Sequence, residues 1–372
     1  MSKEIMSFKK IGVAVDQLIR AEDYKLFFKN GNFLIDTMSG LWCVPLGYSN
    51  KEIKLSMFEQ CENLPYGTNF LGYQNQITEQ YAELLCKLTN MHKVYFTNSG
   101  SSAVETAIKL TLKKKGIVSK YSYHGSTILS ACASDQNINS SWNVNSPIDV
   151  LKFDNPDNLE KLLKENNDAF VMIEPVIAAG GVYPHVDQVF KILKYYQKNN
   201  LVIFDETVTG FGKLGRMFAF EKFNFKPDII VLGKAITNGY FPLGACLATE
   251  KVLENIKFFN HGFTFSGHPI GTAVALKTLQ ILMRSQDLFL NHDRFYKDDN
   301  ISRQIGCMGA IDFVSPKKSL SFLRKMRQRG YILEYGSENI NTIVYCLPYI
   351  FSNEDYKNFL KNISECKKEL VI

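Results

Sequence analysis

Short apolar runs alternate with amphipathic stretches through the middle of the chain. In VFKILKYYQKNN (189–200) apolar residues recur at helical spacing, whereas the short runs are almost wholly apolar. Those runs are VYFT (94–97), AFVMI (169–173), LVIF (201–204) and DIIVL (228–232). Strands that alternate with helices are typical of βαβ units, so the pattern predicts an α/β fold with a mostly parallel central sheet.

The pattern differs at the two ends of the chain. NGNFLIDTMSG predicts a short hairpin with Asn30-Gly31 at its turn. The C-terminal part predicts a smaller α+β unit, with MGAIDFV (308–314), a basic helix around 317–329, TIVYCL (342–347) and a terminal helix from about 353. We interpret the polar stretch 285–300 as a joint between lobes. The predicted division is an N-terminal segment (1–45), a large domain (46–284) and a small C-terminal domain (285–372).

Composition excludes several classes of function. The formal net charge of the 372 residues is +6, but basic and acidic residues are interspersed, which favours a solvated surface over a nucleic-acid-binding face. Eight cysteines without a CxxC pair indicate reduced, buried thiols and neither a disulfide framework nor a metal site. No run reaches the roughly 18 apolar residues of a membrane span, and MSKEIMSFKK lacks the apolar stretch of a signal peptide. We therefore expect a cytoplasmic protein.

Each of the four apolar runs ends in residues that can do chemistry. In chain order these are Asn98-Ser99-Gly100-Ser101-Ser102, Glu174-Pro175, Asp205-Glu206 and Lys234. Ligands of open α/β sheets bind at the carboxyl ends of the strands. The four coincidences together therefore predict one site.

The first element of this site is a candidate phosphate cradle. NSGSS precedes the helical pattern AVETAIKLTLKK. The free N–H groups and positive dipole end of a helix N-terminus suit a phosphate, and Gly100 lets the backbone approach closely. An ordinary helix cap and turn is the alternative.

The second element is a lysine and an acid, Lys234 and Asp205, which lie 29 residues apart at the ends of two strands. Pyridoxal phosphate chemistry needs such a pair: a lysine to bind the cofactor and an acid to keep its pyridinium nitrogen protonated. A structural ion pair is the alternative. Tyr123 is a candidate to stack on a flat cofactor, and Trp42 to wall a substrate pocket; either ring could instead fill the core.

With these residues in place, the sequence resembles the class III, fold type I aminotransferases from about residue 30 to the C-terminus. The matching stretches are GLWCVPLGYSNKEI, FTNSGSSAVETAIKL, YHGST, IEPVIAAGG, IFDETVTGFGKLGRMFAFEKF, PDIIVLGKAITNGYFPLGA and HGFTFSGHPIGTAVAL. The resemblance implies the fold of type I pyridoxal-phosphate transferases: a large domain with a mostly parallel sheet and a smaller α+β C-terminal domain. It implies pyridoxal 5′-phosphate as the cofactor.

The resemblance also implies roles for single residues. Lys234 would form the imine and shuttle the proton, Asp205 would pair with the pyridine nitrogen, and Tyr123 would stack on the ring. The other cofactor-binding residues would be Gly100, Ser101, His124, Thr207 and Thr264, of which Thr264 reaches the phosphate of the neighbouring subunit. A homodimer with shared sites follows from that last role. The substrate pocket would include Trp42, Tyr123 and Gly262.

The chain departs from the family pattern in three places. Lys213 stands where the family has the arginine of GFGR, and the connection across 285–303 is short. Glu334 falls where the diaminopelargonate-forming branch has a carboxylate-binding arginine. That replacement would favour a substrate whose distal end is uncharged or cationic, unless Lys213 or Arg216 supplies the missing cation.

The resemblance favours a transaminase that moves an amino group from an amine, ω-amino or amino-acid donor to a keto acid or other carbonyl acceptor, by a ping-pong mechanism. Three alternatives remain. They are the adenosylmethionine-8-amino-7-oxononanoate aminotransferase of biotin synthesis, an amino-acid racemase or epimerase, and a non-enzymatic binding protein of the same fold. The presence of both Asp205 and Lys234 disfavours the last.

Overall fold

A central sheet of seven strands forms the middle of the molecule. The computed structural model describes residues 17–70, 72–135, 146–254, 256–290, 298–336 and 341–370. The strands in spatial order are Lys93–Thr97, Gly244–Ala248, Ile229–Leu232, Leu201–Asp205, Phe170–Ile173, Lys115–Ser119 and Asp149–Phe153. The four predicted apolar strands are all in this sheet and are confirmed. Two of them, Phe170–Ile173 and Ile229–Leu232, are buried at every position, as strands covered on both faces are.

Six of the seven strands run parallel, and Gly244–Ala248 runs antiparallel to both of its neighbours. The predicted mostly parallel sheet is therefore confirmed. Because the six strands share a direction, their carboxyl ends lie along one edge of the sheet. The loops that follow them are consequently brought together there.

Helices connect the strands and form most of the remaining structure. Those of eight or more residues are Lys51–Asn63, Gln76–Thr89, Gly100–Thr111, Pro156–Glu165, Asp187–Tyr196, Pro269–Arg284, Pro316–Gln328 and Asn353–Lys368. The shorter helical elements are Ser39–Trp42, Ile128–Ala133, Ala219–Lys222, Lys234–Thr237, Glu250–Leu253 and Asp287–Leu290. Several begin where a polar side chain accepts a backbone N–H of the first turn, as Ser99 does for Ser102 N–H. The predicted basic helix and terminal helix are both present.

Three smaller sheets complete the fold. The predicted hairpin is part of a sheet in the order Leu18–Glu22, Lys25–Phe28, Phe33–Asp36, Tyr331–Ile332, the last strand being parallel to its neighbour. An antiparallel C-terminal sheet has the order Arg303–Ile305, Met308–Asp312, Thr342–Cys346, Glu334–Tyr335. The two strands Val176–Ile177 and Tyr183–Pro184 pair antiparallel. The N-terminal strands thus join a strand from the C-terminal part of the chain.

The predicted domain boundaries stay predictions. Part of the predicted joint, residues 291–297, and the first sixteen residues lie outside the described part of the chain. One core cluster runs from Trp42 through Leu232 and Leu279 to Phe359, so apolar packing is continuous from the large sheet to the terminal helix. Within the described ranges, no helix is long and apolar enough to cross a membrane.

Candidate active site

Lys234 lies two residues beyond the end of the strand Ile229–Leu232, at the start of the short helical turn Lys234–Thr237. Its backbone φ is +45°, in the left-handed region that residues with a Cβ rarely occupy. Its Nζ lies 5.7 Å from the centroid of the Trp42 ring. Local strain of this kind is typical of functional positions.

Asp205 ends the neighbouring parallel strand and is buried, with 3% of its surface exposed. Its Oδ2 lies 2.8 Å from Nδ1 of His124, which is also buried. Its Oδ1 accepts the backbone N–H of Thr207 at 3.0 Å. A buried carboxylate needs such partners, and the two hydrogen bonds fix the orientation of this one.

The ionisation of Lys234 reflects its position between these groups. Burial lowers the pKa of the Lys234 ammonium, while Cys43, Asp205 and Glu174 act in the opposite direction. A lowered pKa leaves more of the amine neutral, and only the neutral amine is a nucleophile. The site therefore favours the reactive form of this lysine.

The helix Gly100–Thr111 begins against Gly233, the residue before Lys234. A Cβ added to Gly100 would lie 2.9 Å from Cγ2 of Thr207, and one added to Gly233 would lie 3.3 Å from Cα of Gly100. Gly100, Thr207 and Gly233 are therefore in close contact, and the helix N-terminus faces the residue that precedes Lys234. The predicted cradle and the predicted acid–lysine pair belong to one site.

The loop that carries Tyr123 closes over this helix N-terminus. A Cβ on Gly125 would meet Oγ of Ser101 at 2.3 Å, so only glycine, at φ +124°, fits there. Ser126 donates its N–H to Ser101 Oγ at 3.3 Å. Tyr123 is half-buried, and its backbone N–H donates to Glu174 Oε1 at 2.9 Å. The predicted residues Ser101, Tyr123 and His124 thus lie on two contacting segments.

The residues present fit a phosphorylated ring cofactor. Thr207 Oγ1 and His124 Nε2 are buried and have no hydrogen-bond partner among the described residues. Buried polar atoms are normally paired, so these two indicate a bound group that supplies partners. The glycine-lined helix N-terminus supplies the anion-binding end that a phosphate requires.

A left-handed turn presents Trp42. Four consecutive residues, 39–42, have positive φ, and Asp36 holds the turn by accepting the N–H groups of Met38 (2.9 Å) and Gly40 (2.6 Å). The hydroxyl of Tyr48 donates to the same carboxylate at 2.7 Å. Trp42 is 4% exposed and its ring faces Lys234. It lies against the candidate site, and its role toward substrate stays a prediction.

Comparison with known proteins identifies the family. A family model described as aminotransferase class-III matches residues 13–366. A probable gamma-aminobutyrate transaminase 2 (mitochondrial) of Oryza sativa subsp. indica is 37% identical over 308 residues, 70% of this chain and 62% of the relative. An acetylornithine aminotransferase of Clostridium acetobutylicum is 32% identical over 307 residues, 78% of each chain. The PMP-bound aminotransferase of Vibrio fluvialis superposes with a TM-score of 0.90 at 25% identity, covering 100% of this chain and 97% of that one.

This chain belongs to the class III aminotransferase family. The predicted family and the predicted fold of type I transferases are confirmed. Class III aminotransferases use pyridoxal phosphate, so the predicted cofactor is also confirmed. The chain spans about 62% of the length of the gamma-aminobutyrate transaminase that it matches.

Two residues predicted from the class III pattern lie on the surface. Thr264 and Gly262 are exposed, and the carbonyl of Thr264 accepts the Tyr66 hydroxyl at 3.0 Å. A Cβ on Gly262 would lie 2.6 Å from the Phe70 ring. Neither residue has a recorded hydrogen bond to the cradle of its own subunit within the described ranges. Their predicted roles toward cofactor and substrate stay predictions.

Lys213, Arg216 and Glu334, the residues linked to the departures from the class III pattern, lie in different environments. Lys213 is fully buried, and its Nζ has no hydrogen-bond partner among the described residues, whereas Arg216 is exposed. Glu334 is half-buried in a two-residue strand that pairs with Thr342–Cys346. Its carboxylate accepts the N–H of Tyr335 at 3.0 Å.

Two features of the class III site are not indicated by the sequence. The contact between His124 and Asp205 joins residues 81 positions apart, which no local pattern can indicate. The sequence marks Glu174 only as the end of a strand, yet its carboxylate accepts a hydrogen bond from the Tyr123 loop. The charge on a residue at the carboxyl end of a buried strand was the signal that could have found it.

Proposed function

We propose that this chain is a pyridoxal-phosphate-dependent aminotransferase that moves an amino group from an amine, ω-amino or amino-acid donor to a keto acid or other carbonyl acceptor. The observation that carries the proposal is the arrangement of Lys234 and Asp205 at the ends of adjacent parallel strands, next to the helix N-terminus at Gly100. Family membership and the fit of the site to the cofactor support it.

Different residues of the chain would bind the phosphate, bind the pyridine nitrogen and move the proton. Gly100 and Ser101, at the helix N-terminus, would bind the phosphate, and Asp205, held by His124, would bind the pyridine nitrogen. When bound, the cofactor supplies an electron sink for the negative charge that develops at the substrate carbon. Lys234 would bond to the cofactor at rest, and its neutral amine would take the proton from the substrate carbon and return it elsewhere. A second carbonyl compound reverses these steps.

A half-reaction screen tests the proposal. The purified protein loaded with pyridoxal phosphate is mixed with single donors: a diamine, an ω-amino acid, an α-amino acid and an aryl amine. We expect at least one donor to bleach the visible band of the bound cofactor while the matching carbonyl product accumulates. Lys234→Ala should abolish both signals. Lys226 is an exposed lysine three residues before the same strand, and Lys226→Ala is the matched control that should retain both signals.

Two results would count against amino transfer. Racemisation of an α-amino acid without a carbonyl product would favour the racemase alternative. A loaded protein that releases no product with any donor class would favour a binding protein of the same fold.

We further propose that the protein is a homodimer whose sites need both chains. Tyr66, Phe70 and Phe265 form an exposed apolar surface, with 42%, 61% and 55% of each residue accessible. Tyr66 and Phe265 have ring centroids 5.9 Å apart. Large exposed apolar surfaces mark interaction sites, and Thr264 lies within this one. A cytoplasmic location stays a prediction.

We propose that Glu334 disfavours substrates that carry a carboxylate at their distal end. A substrate carboxylate near this side chain would meet a like charge, at a cost of about 1 kcal/mol or more. Wild type should therefore have a higher kcat/KM for a neutral amine pair than for 8-amino-7-oxononanoate, and Glu334→Arg should reverse or narrow that preference. A strong wild-type preference for 8-amino-7-oxononanoate would make the biotin-synthesis enzyme the first choice.

A further inference from the structure

Glu174 joins two segments that flank the candidate site. It follows the strand Phe170–Ile173 and is 3% exposed. Its Oε1 accepts the N–H of Tyr123 at 2.9 Å, and its Oε2 accepts the N–H of Ala178 at 3.2 Å. Tyr123 belongs to the loop over the cradle, and Ala178 belongs to the turn that follows Val176–Ile177. One carboxylate therefore spans two loops that are 55 residues apart in sequence.

The groups that face Glu174 come from several elements. They are His124 on the Tyr123 loop, Asp205 and Lys234 at the ends of neighbouring strands, and His185, which lies near the Glu174 backbone. Burial raises the pKa of the Glu174 carboxyl to about 7, and Asp205 adds to the rise, while His124 and the two backbone N–H groups oppose it. This carboxyl therefore changes its ionisation near neutral pH.

We propose that Glu174 is a positioning residue, whose ionised carboxylate holds the Tyr123 loop against the strand ends and so fixes the Tyr123 ring and the His124–Asp205 contact. The consequence for catalysis rests on the proposed function. We call the two hydrogen bonds from Tyr123 and Ala178 to the Glu174 carboxylate the clamp. The clamp involves residues of the protein alone.

The clamp depends on the charge of Glu174. An ionised carboxylate accepts both N–H groups, whereas a protonated carboxyl carries its proton on one oxygen and leaves one N–H without its acceptor. As pH rises through about 7 the second hydrogen bond forms. As pH falls through the same range that bond is lost, and one of the two loops is released.

Hydrogen exchange on the cofactor-free protein tests the clamp directly. The protection of peptides that contain Tyr123 or Ala178, corrected for the intrinsic effect of pH on exchange, is followed from pH 8 to pH 6. In wild type we expect the protection of at least one of them to fall roughly tenfold or more, since hydrogen bonds to charged acceptors are the strong ones. The Glu174→Gln amide keeps one acceptor oxygen, so the protection of at least one of the two peptides should be low at pH 8 and nearly independent of pH.

Glu206 provides a matched control. It is also a buried carboxyl, its oxygens accept the N–H groups of Ala219 (2.6 Å) and Phe220 (3.0 Å), and burial raises its pKa to about 8. Glu206→Gln should lower the protection around residues 219–220 and leave the Tyr123 peptide as in wild type. If Glu174→Gln changes neither the Tyr123 peptide nor the Ala178 peptide more than Glu206→Gln does, the clamp does not exist.

The wild-type titration alone decides the matter if Glu174→Gln fails to fold. Protection of both peptides that stays constant between pH 6 and pH 8 would overturn the proposal. The catalytic consequence is measured separately, as the pH dependence of the donor half-reaction rate. In wild type this rate should fall as pH drops through about 7, and in Glu174→Gln that fall should be absent. Absence of the pH effect on exchange in wild type contradicts the clamp. Presence of that effect in a protein that transfers no amino group contradicts only the proposed function.

Discussion

Asp205 supplies the negative charge that the candidate site would place beside the cofactor. It is buried, and its geometry is fixed by His124 and by the N–H of Thr207. Asp205→Asn keeps the shape but removes the negative charge beside the predicted position of the pyridinium nitrogen. We expect the transamination rate to fall by about 10²-fold or more, the size of effect seen when a preorganised electrostatic contact is removed.

Asp228→Asn is the control for this change. Asp228 is equally buried and accepts the N–H of Val202, but it lies at the opposite end of the strands from Lys234. Its replacement should lower stability and leave the rate constant of folded protein within a few-fold of wild type. An Asp205→Asn protein within twofold of wild type would show that this carboxylate does not act on the cofactor.

At the scale of single residues, the sequence indicated Lys234 and Asp205 because each ends an apolar strand. It could not indicate the partners of those residues. The His124–Asp205 contact and the Glu174 clamp form only after the strands are ordered in the sheet. Contacts between distant segments leave no trace in the spacing of polar and apolar positions.

The N-terminus of the helix Gly100–Thr111 gives a prediction at the scale of elements. A methyl group at Gly100 would lie 2.9 Å from Cγ2 of Thr207, so Gly100→Ala must displace either the Thr207 side chain or the helix N-terminus. Overpacking of this kind costs roughly 1–3 kcal/mol. We expect the dissociation constant for pyridoxal phosphate, measured by fluorescence titration, to rise about tenfold.

Thr207→Ser removes the methyl group that causes the clash. The double variant Gly100→Ala/Thr207→Ser should therefore bind the cofactor more tightly than Gly100→Ala alone, after correction for the effect of Thr207→Ser by itself. Independent, additive effects of the two substitutions would show that the helix N-terminus and Thr207 are not in contact.

The elements and the mostly parallel central sheet were predictable, whereas the pairing of individual strands was not. Uniformly apolar runs predicted the buried strands, and the position of Asn30-Gly31 predicted the hairpin. The strand Gly244–Ala248 was missed; it is as apolar and buried as its parallel neighbours, and nothing in its composition reveals that it runs antiparallel. The pairing of Tyr331–Ile332 with an N-terminal strand likewise depends on tertiary packing.

At the scale of the whole molecule, the exposed apolar surface around Phe70 predicts the oligomeric state. Phe70→Glu places a charge where the proposed partner subunit would bury an aromatic ring. We expect light scattering to show a shift from dimer toward monomer, together with weaker cofactor binding because Thr264 of the partner would be lost from the cradle. Val314→Glu is the control, since Val314 is 86% exposed but lies next to the helix Pro316–Gln328. A fully active monomeric wild type would contradict the shared site.

The central claim is that Lys234 is the lysine that binds the cofactor, and borohydride reduction followed by peptide mass spectrometry tests it most directly. Reduction fixes pyridoxal phosphate permanently to the amine that holds it. The account predicts that the added mass lies on the peptide that contains Lys234 and is absent from Lys234→Ala. Stoichiometric labelling of a different lysine, or no labelling of a protein that is saturated with cofactor, would contradict it.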